Sequence, residues 1–401
     1  MVLLWATDAI SVGSLFDVYV ADVAQSTGYA HPNEFIGFLE SVRGLTAFAA
    51  AFPLGYFSDR FDRLAVLRSC GFVFGLTGAV VLSVALLLGR LGWLAVGLAL
   101  YAIFFQAASG SLDAVLADIV PAGPARTAAY ARSRTLMTSA RAMGPFLQAV
   151  LLSLFGRELG GKALGRLLAG GYLGLVCFLV LLWPLHSSGS ASAAGAAAPL
   201  ASSEIGDRQC EKVLGVPKYL LIPGLIAAFN ITFMLGGGIT LKFYPLFYHR
   251  EYGLSDVEIC WIMAGYWLAT AVGTKVVGLL TRCRRAVAVL TLHLMGVALL
   301  FLFILTRPLS WSLVSFELRP VSMNAHFALN TALTMDYALP KHRGRWAAVS
   351  SLNRATWAGS AAVGGVLVDQ LGFRASFAVT GCIMLVAAAI YSPMLGLARH
   401  I

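Results

Sequence analysis

Long apolar stretches alternate with short polar breaks along this chain. A membrane-crossing helix needs roughly 20 apolar residues. Stretches that meet this length fall at roughly 2–24, 34–56, 66–88, 93–118, 127–155, 164–186, 218–247, 255–280, 286–306, 309–337, 345–368 and 374–397. The pattern therefore predicts twelve transmembrane helices. Between the sixth and the seventh, Ser187 to Ala201 is almost all Ser, Ala and Gly. Such a segment cannot build a core and reads as a flexible linker. The expected organisation is an all-α membrane protein: a six-helix bundle over 1–186, a linker over 187–215 and a second six-helix bundle over 216–401.

The two halves read as repeats. Gly55-Tyr-Phe-Ser-Asp59-Arg60 returns weakly as Gly278-Leu-Leu-Thr281-Arg282, and Ala117-Asp118 returns as Met335-Asp336. Gly144-Pro145 maps near Gly364-Gly365. The offsets are 223, 218 and 220 residues, and three markers at nearly one offset argue for duplication and a pseudo-symmetric pair of bundles.

Charge sharpens the picture. Only 12% of the 401 residues are charged and 59% are hydrophobic, whereas a soluble domain is about 25% charged. The net charge of +10 invites a nucleic-acid partner, but the basic residues are divided among short loops rather than gathered on one face, so none is expected. With both termini on one side, that side carries sixteen Lys and Arg and the other seven. The excess predicts cytoplasmic termini and a cytoplasmic linker. The first span opens almost at Met1 with no basic stretch before it, so no cleavable signal is expected, and a short tail upstream would suit that start. Six scattered cysteines lack Cys-x-x-Cys spacing and read as small packing residues.

Between spans two and three, Gly55, Asp59, Arg60, Asp62, Arg63 and Arg68 form a short charged turn that cannot lie in lipid. The pattern Gly-x-x-x-Asp-Arg-x-x-Arg in this setting resembles the signature loop of the major facilitator superfamily, and the resemblance extends over essentially the whole chain. It implies two bundles that rock around a midplane site, a cytoplasmic latch in which Asp59 faces the start of span eleven near Gly344 to Ala347, and pairing of Asp118 with Arg60 or Arg63. Asp336, Arg343 and Arg345 are the matching gate residues of the second half. Glu40-Ser-Val-Arg43, Thr240-Leu-Lys242-Phe-Tyr-Pro245, Met335-Asp336-Tyr337 through Trp346 and Trp357 through Gly365 are similar to one subgroup of the superfamily, for which the resemblance supplies no substrate. Span four lacks the family's Arg of the proton-relay motif, and Gly144-Pro145 matches the antiporter motif only in part, so antiport is not implied.

A charge at membrane depth is costly unless paired or wetted, so each is a functional candidate. They are Asp8 and Asp17 in span one, Glu40 and Arg43 in two, Asp113 in four, Arg141 in five, Lys242 in seven, Lys275 in eight, Glu317 and Arg319 in ten and Arg354 in eleven. The resemblance implies that these eight spans line the central cavity. Arg43, Arg141 and Arg319 lie at least about 13 Å from either end of their spans at 1.5 Å per residue. Glu40 sits at i,i+3 from Arg43, which reads either as a structural ion pair or as a proton carrier beside the substrate. Arg141 and Arg319 suit a bidentate clamp on an anionic group, or else pair with Asp17, Glu40 or Glu317. Asn324, His326 and Asn330 in span ten are candidate substrate contacts, with an interhelical hydrogen bond the alternative for His326. Asp8, Asp17 and Glu40 are candidate proton-coupling groups. Gly236-Gly237-Gly238 and Pro245 read either as a hinge in span seven or as close helix packing. Arg43 and Lys242 are further candidate substrate contacts, with Lys242 expected near the outer mouth, where it could snorkel.

No Walker loop and no metal-spaced His/Cys/carboxylate motif is present, so neither enzyme activity nor a cofactor is expected. The expected function is a monomeric secondary transporter in contact with lipid. It would move a small anionic or zwitterionic solute by alternating access, with proton symport. An uncoupled carrier or a non-transporting sensor on the same fold are the competing readings.

Overall fold

The computed structural model describes residues 2–119, 124–155, 161–183, 212–213, 215–280, 285–337 and 343–397. Within these helices the side chains of Asp59, Asp113, Asp118, Lys275, His326, Asp336, Arg343 and Arg345 lie outside the described residues, so the expected latch is not addressed.

The described helices group into twelve spans. Span one is α1 (Val2–Ser11) and α2 (Ser14–Ser26), and span two is α3 (Pro32–Arg60). Span three is α4 (Arg63–Cys70), a π-helical turn (Gly71–Leu76) and α5 (Thr77–Leu88). Spans four and five are α6 (Leu91–Ile119) and α7 (Pro124–Phe155), and span six is α8 (Gly161–Gly171) with α9 (Leu173–Leu182). A hairpin of β1 (Lys212–Val213) and β2 (Val216–Pro217) then leads into span seven, α10 (Lys218–Leu241) and α11 (Tyr244–Tyr252). Spans eight to eleven are α12 (Asp256–Leu280), α13 (Arg285–Leu305), α14 (Leu309–Tyr337) and α15 (Arg343–Leu371). Span twelve is α16 (Phe373–Tyr391) and α17 (Met394–Leu397).

Local chemistry sets the ends. Pro32 opens α3, where a missing N–H costs nothing. The Asp62 carboxylate caps α4 by accepting from the Leu64 and Ala65 amides. Its charge therefore serves the turn between spans two and three. Ser255 and Glu258 form a reciprocal cap at α12, with the Glu258 carboxylate accepting from the Ser255 amide at 2.9 Å.

Among the described residues, eight spans are long and apolar enough to cross a membrane. The others, α7, α12, α14 and α15, carry Arg141, Lys275, Glu317 with Arg319, and Arg354. Leu88, Leu154, Leu173, Leu181 and Leu305 are exposed and supply the apolar outside that a bilayer requires.

The chain packs as two compact units. The first comprises 1–196, 241–268 and 361–370. It therefore contains the first six spans together with a stretch from the end of α10 into α12 and the late part of α15. Within it, α3 and α15 approach through glycine. A Cβ at Gly365 would fall 2.3 Å from the Asn33 carbonyl oxygen, and one at Gly37 would fall 2.3 Å from the Ala361 carbonyl oxygen. The second unit comprises 197–240, 269–360 and 371–401. Its core contains Ile222, Ile226, Phe229, Val289, Leu333 and Tyr391.

Because the obstruction at Gly365 is backbone, Gly365→Val cannot be absorbed by a rotamer change. The variant should lose about 1–3 kcal/mol or more of stability, read as a lower melting temperature in detergent. Gly224→Ala, where a Cβ meets nothing within 4 Å, should not be destabilised.

Candidate functional site

The first unit is built around buried charge. Asp8 lies on α1, Asp17 on α2, Glu40 and Arg43 on α3, and Lys242 in the break between α10 and α11. An Arg43 Nη donates to Asp8 Oδ1 at 2.5 Å and a second lies 3.9 Å from Glu40 Oε2. Lys242 Nζ lies 3.1 Å from Glu40 Oε2 and 3.5 Å from Asp17 Oδ1. Asp17 and Glu40 are only 3% and 5% exposed. Two cations thus stand against three carboxylates in one connected cluster.

The break that positions Lys242 has a covalent cause. Pro245 has no N–H, so the Leu241 carbonyl loses the partner it would have in a continuous helix. The helix stops at Leu241 and restarts at Tyr244, with Pro245 in the first turn of α11. The three glycines do not form the break, since α10 runs through them. Gly238 instead packs in the second unit, where a Cβ would lie 2.0 Å from the Trp357 carbonyl oxygen. Close packing accounts for Gly238 and Pro245 for the break. Lys242 does not snorkel: it is drawn inward by two buried acids, which a solvated ammonium at the mouth could not neutralise. Arg43 likewise has its tight partner in Asp8 rather than in Glu40, its neighbour on α3.

Span one is also interrupted. α1 ends at Ser11 and α2 begins at Ser14, and Gln148 of α7 donates its side-chain amide to the Ile10 carbonyl at 2.7 Å. Cys260 Sγ lies 3.7 Å from Gln148 Oε1. The break separates Asp8 from Asp17, so one span delivers carboxylates to both ends of the cluster.

Arg141 is held between two indoles, 4.5 Å from the Trp5 ring and 5.0 Å from the Trp267 ring. Cation–π contact stabilises a desolvated guanidinium by about 2 kcal/mol. Arg43 lies 5.9 Å from the Phe105 ring. The buried Tyr101 and Tyr172 rings meet edge to face at 5.5 Å, and their hydroxyls have no hydrogen-bond partner among the described residues. These aromatic residues were not among the sequence candidates. Their signal was a set of Trp, Tyr and Phe at the depth of the charges, hard to separate from ordinary core.

In the second unit Arg319 is buried, with Nη2 3.7 Å from Met384 Sδ. Asn330 is fully buried, donating to Asn230 Oδ1 at 3.2 Å and accepting from the Tyr391 hydroxyl at 3.1 Å. It ties spans seven, ten and twelve together. Asn324 donates to the Pro320 carbonyl at 3.1 Å within its own helix. His293 of α13, unremarked in the sequence, is buried with Nε2 2.8 Å from the Met384 carbonyl oxygen. On the gate turn Gly55 is exposed with nothing near its Cβ position, Arg60 stacks 4.4 Å from the Tyr56 ring, and Arg63 opens α4.

The sequence profile of the Major Facilitator Superfamily matches residues 9–255 and 226–399. The chain belongs to this superfamily. No curated protein sequence matches it. Solved structures share its fold at low identity. A D-xylose-proton symporter is 15% identical with a TM-score of 0.73, over 97% of this chain and 94% of that one. The nucleoside transporter NupG is 14% identical with a TM-score of 0.69, over 98% of each chain. The human organic anion transporter TETRAN is 17% identical with a TM-score of 0.61, over 97% of each. This is therefore an integral, multi-pass membrane protein of the twelve-helix, two-bundle architecture of a transporter superfamily.

Removing one partner from a buried cluster leaves uncompensated charge, at a cost of about 3–5 kcal/mol. Lys242→Met should therefore destabilise the protein by that order in detergent denaturation. Adding Glu40→Gln to Lys242→Met should recover part of the loss, because fewer buried carboxylates then lack a cation. A double variant worse than the sum of the singles would contradict the pairing.

Proposed function

We propose that this transporter couples movement of a small organic solute to protons through the cluster of Asp8, Asp17, Glu40, Arg43 and Lys242. The observation that carries this reading is the charge count among the described residues. There, three carboxylates against two cations leave one negative charge in a medium where an uncompensated ion is expensive. Taking up one proton balances the cluster. Protonation of Asp17 or Glu40 also weakens the hold on Lys242, and with it the tie between spans one and two and the break in span seven. Proton binding and rearrangement of span seven are then one event, which is what coupling requires.

The solute carries an anionic or zwitterionic group, for which Arg141 in the first unit and Arg319 in the second are each separate candidate ligands. The indole sandwich fixes the Arg141 guanidinium, and an oriented guanidinium loses little entropy when it binds a carboxylate or phosphate. Asn324 and His326 are further candidate contacts. Fold relatives that transport a sugar, a nucleoside and an organic anion fit a small organic solute. A single chain is the functional unit, working by alternating access with its termini in the cytoplasm. Gly55, Asp59, Arg60, Arg63, Asp118, Asp336, Arg343 and Arg345 close the cytoplasmic side.

Proteoliposomes test this. Uptake of labelled monocarboxylates, amino acids, nucleosides and sugars should show at least one solute whose accumulation rises with an inward proton gradient and falls with a protonophore. Glu40→Gln should abolish the gradient response while leaving counterflow of the same solute. Transport insensitive to the gradient would identify an uncoupled carrier. Absence of transport for every class would favour a sensor.

A further inference from the structure

A second polar cluster lies apart from the charge cluster, where α3 begins and α15 ends. His31 precedes α3 as its N-terminal flanking residue and Glu34 stands in the first turn. They are i,i+3 neighbours and share a side of the helix. The glycine contacts at Gly365 and Gly37 bring α15 against this turn and deliver Asp369 to it. One ligating atom from each of His31, Glu34 and Asp369 lies within 4.8 Å of the others. All three belong to the first unit.

We propose that His31, Glu34 and Asp369 form a binding site for a divalent transition-metal ion. One imidazole nitrogen and two carboxylates make a borderline-hard donor set suited to Zn²⁺ or Co²⁺, with a remaining position open to water. Tetrahedral coordination brings the donor atoms to about 3.4 Å from one another at bond lengths of about 2.1 Å. The exposed His31 side chain is free to swing that distance, because it makes no capping hydrogen bond to α3.

Two further features support a ligand. The Asp369 carboxylate is already oriented, accepting from Asn33 Nδ2 at 2.5 Å and from the Glu34 amide at 2.9 Å. Such outer hydrogen bonds hold ligating carboxylates in place. The same Asn33 side chain is only 2% exposed, and its Oδ1 is a buried acceptor with no partner among the described residues. A buried unsatisfied acceptor calls for a cation or a donor. Access is open, because Asp369 lines a basin of about 520 Å³ with Gln25, Tyr29, Pro32 and Arg250. The Arg250 cation on that wall opposes a metal and limits the affinity. A bound ion would bridge the start of span two and the end of span eleven, fastening those two ends together.

The full-length protein in detergent, stripped with chelator, is titrated with Zn²⁺ by calorimetry and with Co²⁺ by visible absorption. One saturable equivalent is expected, with a Co²⁺ ligand-field band and a Zn²⁺-dependent rise in melting temperature. His31→Ala and Glu34→Gln should each weaken binding at least tenfold and remove the thermal shift. Asn33→Ala should weaken it by about 10- to 100-fold. Glu251→Gln, an acid on the neighbouring α11, should change nothing. His31 is exposed, so its loss leaves the fold intact for the comparison. No saturable equivalent, or an equivalent that persists unchanged in both His31→Ala and Glu34→Gln, would overturn the site. None of these readouts depends on transport or on proton coupling.

Discussion

The ammonium of Lys242 between Asp17 and Glu40 is the interaction on which the first unit depends. Each of those carboxylates is buried within the unit, where little solvent reaches it to screen the charge. Each therefore requires a cation, and Arg43 is already taken up by Asp8. Among the described residues the second cation comes from span seven, at the break beside Pro245. A missing backbone hydrogen, a broken helix and a buried ion pair form one causal chain. Its product links span seven to spans one and two.

Much of this was readable from the sequence. The spans were set by apolar length, and the observed helices begin and end close to the expected positions, as at 309–337 and 255–280. The charged residues were found because they stand out against lipid-compatible surroundings. Their pairing was less accessible. Adjacency on one helix suggested Glu40 with Arg43, whereas Asp8 and Lys242 came from other helices that only the tertiary arrangement brings close. Lys242 departs from its expected place at the outer mouth because the helix breaks beside it and two buried acids hold its ammonium. The aromatic clasp around Arg141 and the tyrosine pair near Asp8 carried no distinguishing pattern, since every span is rich in such residues. The short hairpin ahead of α10 straddles the expected boundary between the linker and the second bundle, and two-residue strands leave no periodic pattern to read.

Superfamily membership and the charge cluster answer different questions. The matched profile and the shared fold assign the architecture and the class of activity, and neither specifies a solute. The proposed chemistry rests on residues such as Asp8, Asp17 and Lys242 and on the partners that the tertiary packing gives them. Function in such folds is carried by side chains grafted on a common frame. The frame here also contains interhelical hydrogen bonds, such as the Asn230, Asn330 and Tyr391 network, that hold the second unit together.

The central claim is that three buried carboxyls facing two cations exchange a proton. Infrared difference spectroscopy of the purified protein across a pH titration reads this directly, through the carbonyl stretch of a protonated carboxyl. The account predicts one titrating band that is lost in at least one of Asp8→Asn, Asp17→Asn and Glu40→Gln, and retained in Glu317→Gln. A spectrum with no protonated carboxyl at any pH where the protein stays folded, or a band unaffected by all three cluster substitutions, would contradict it.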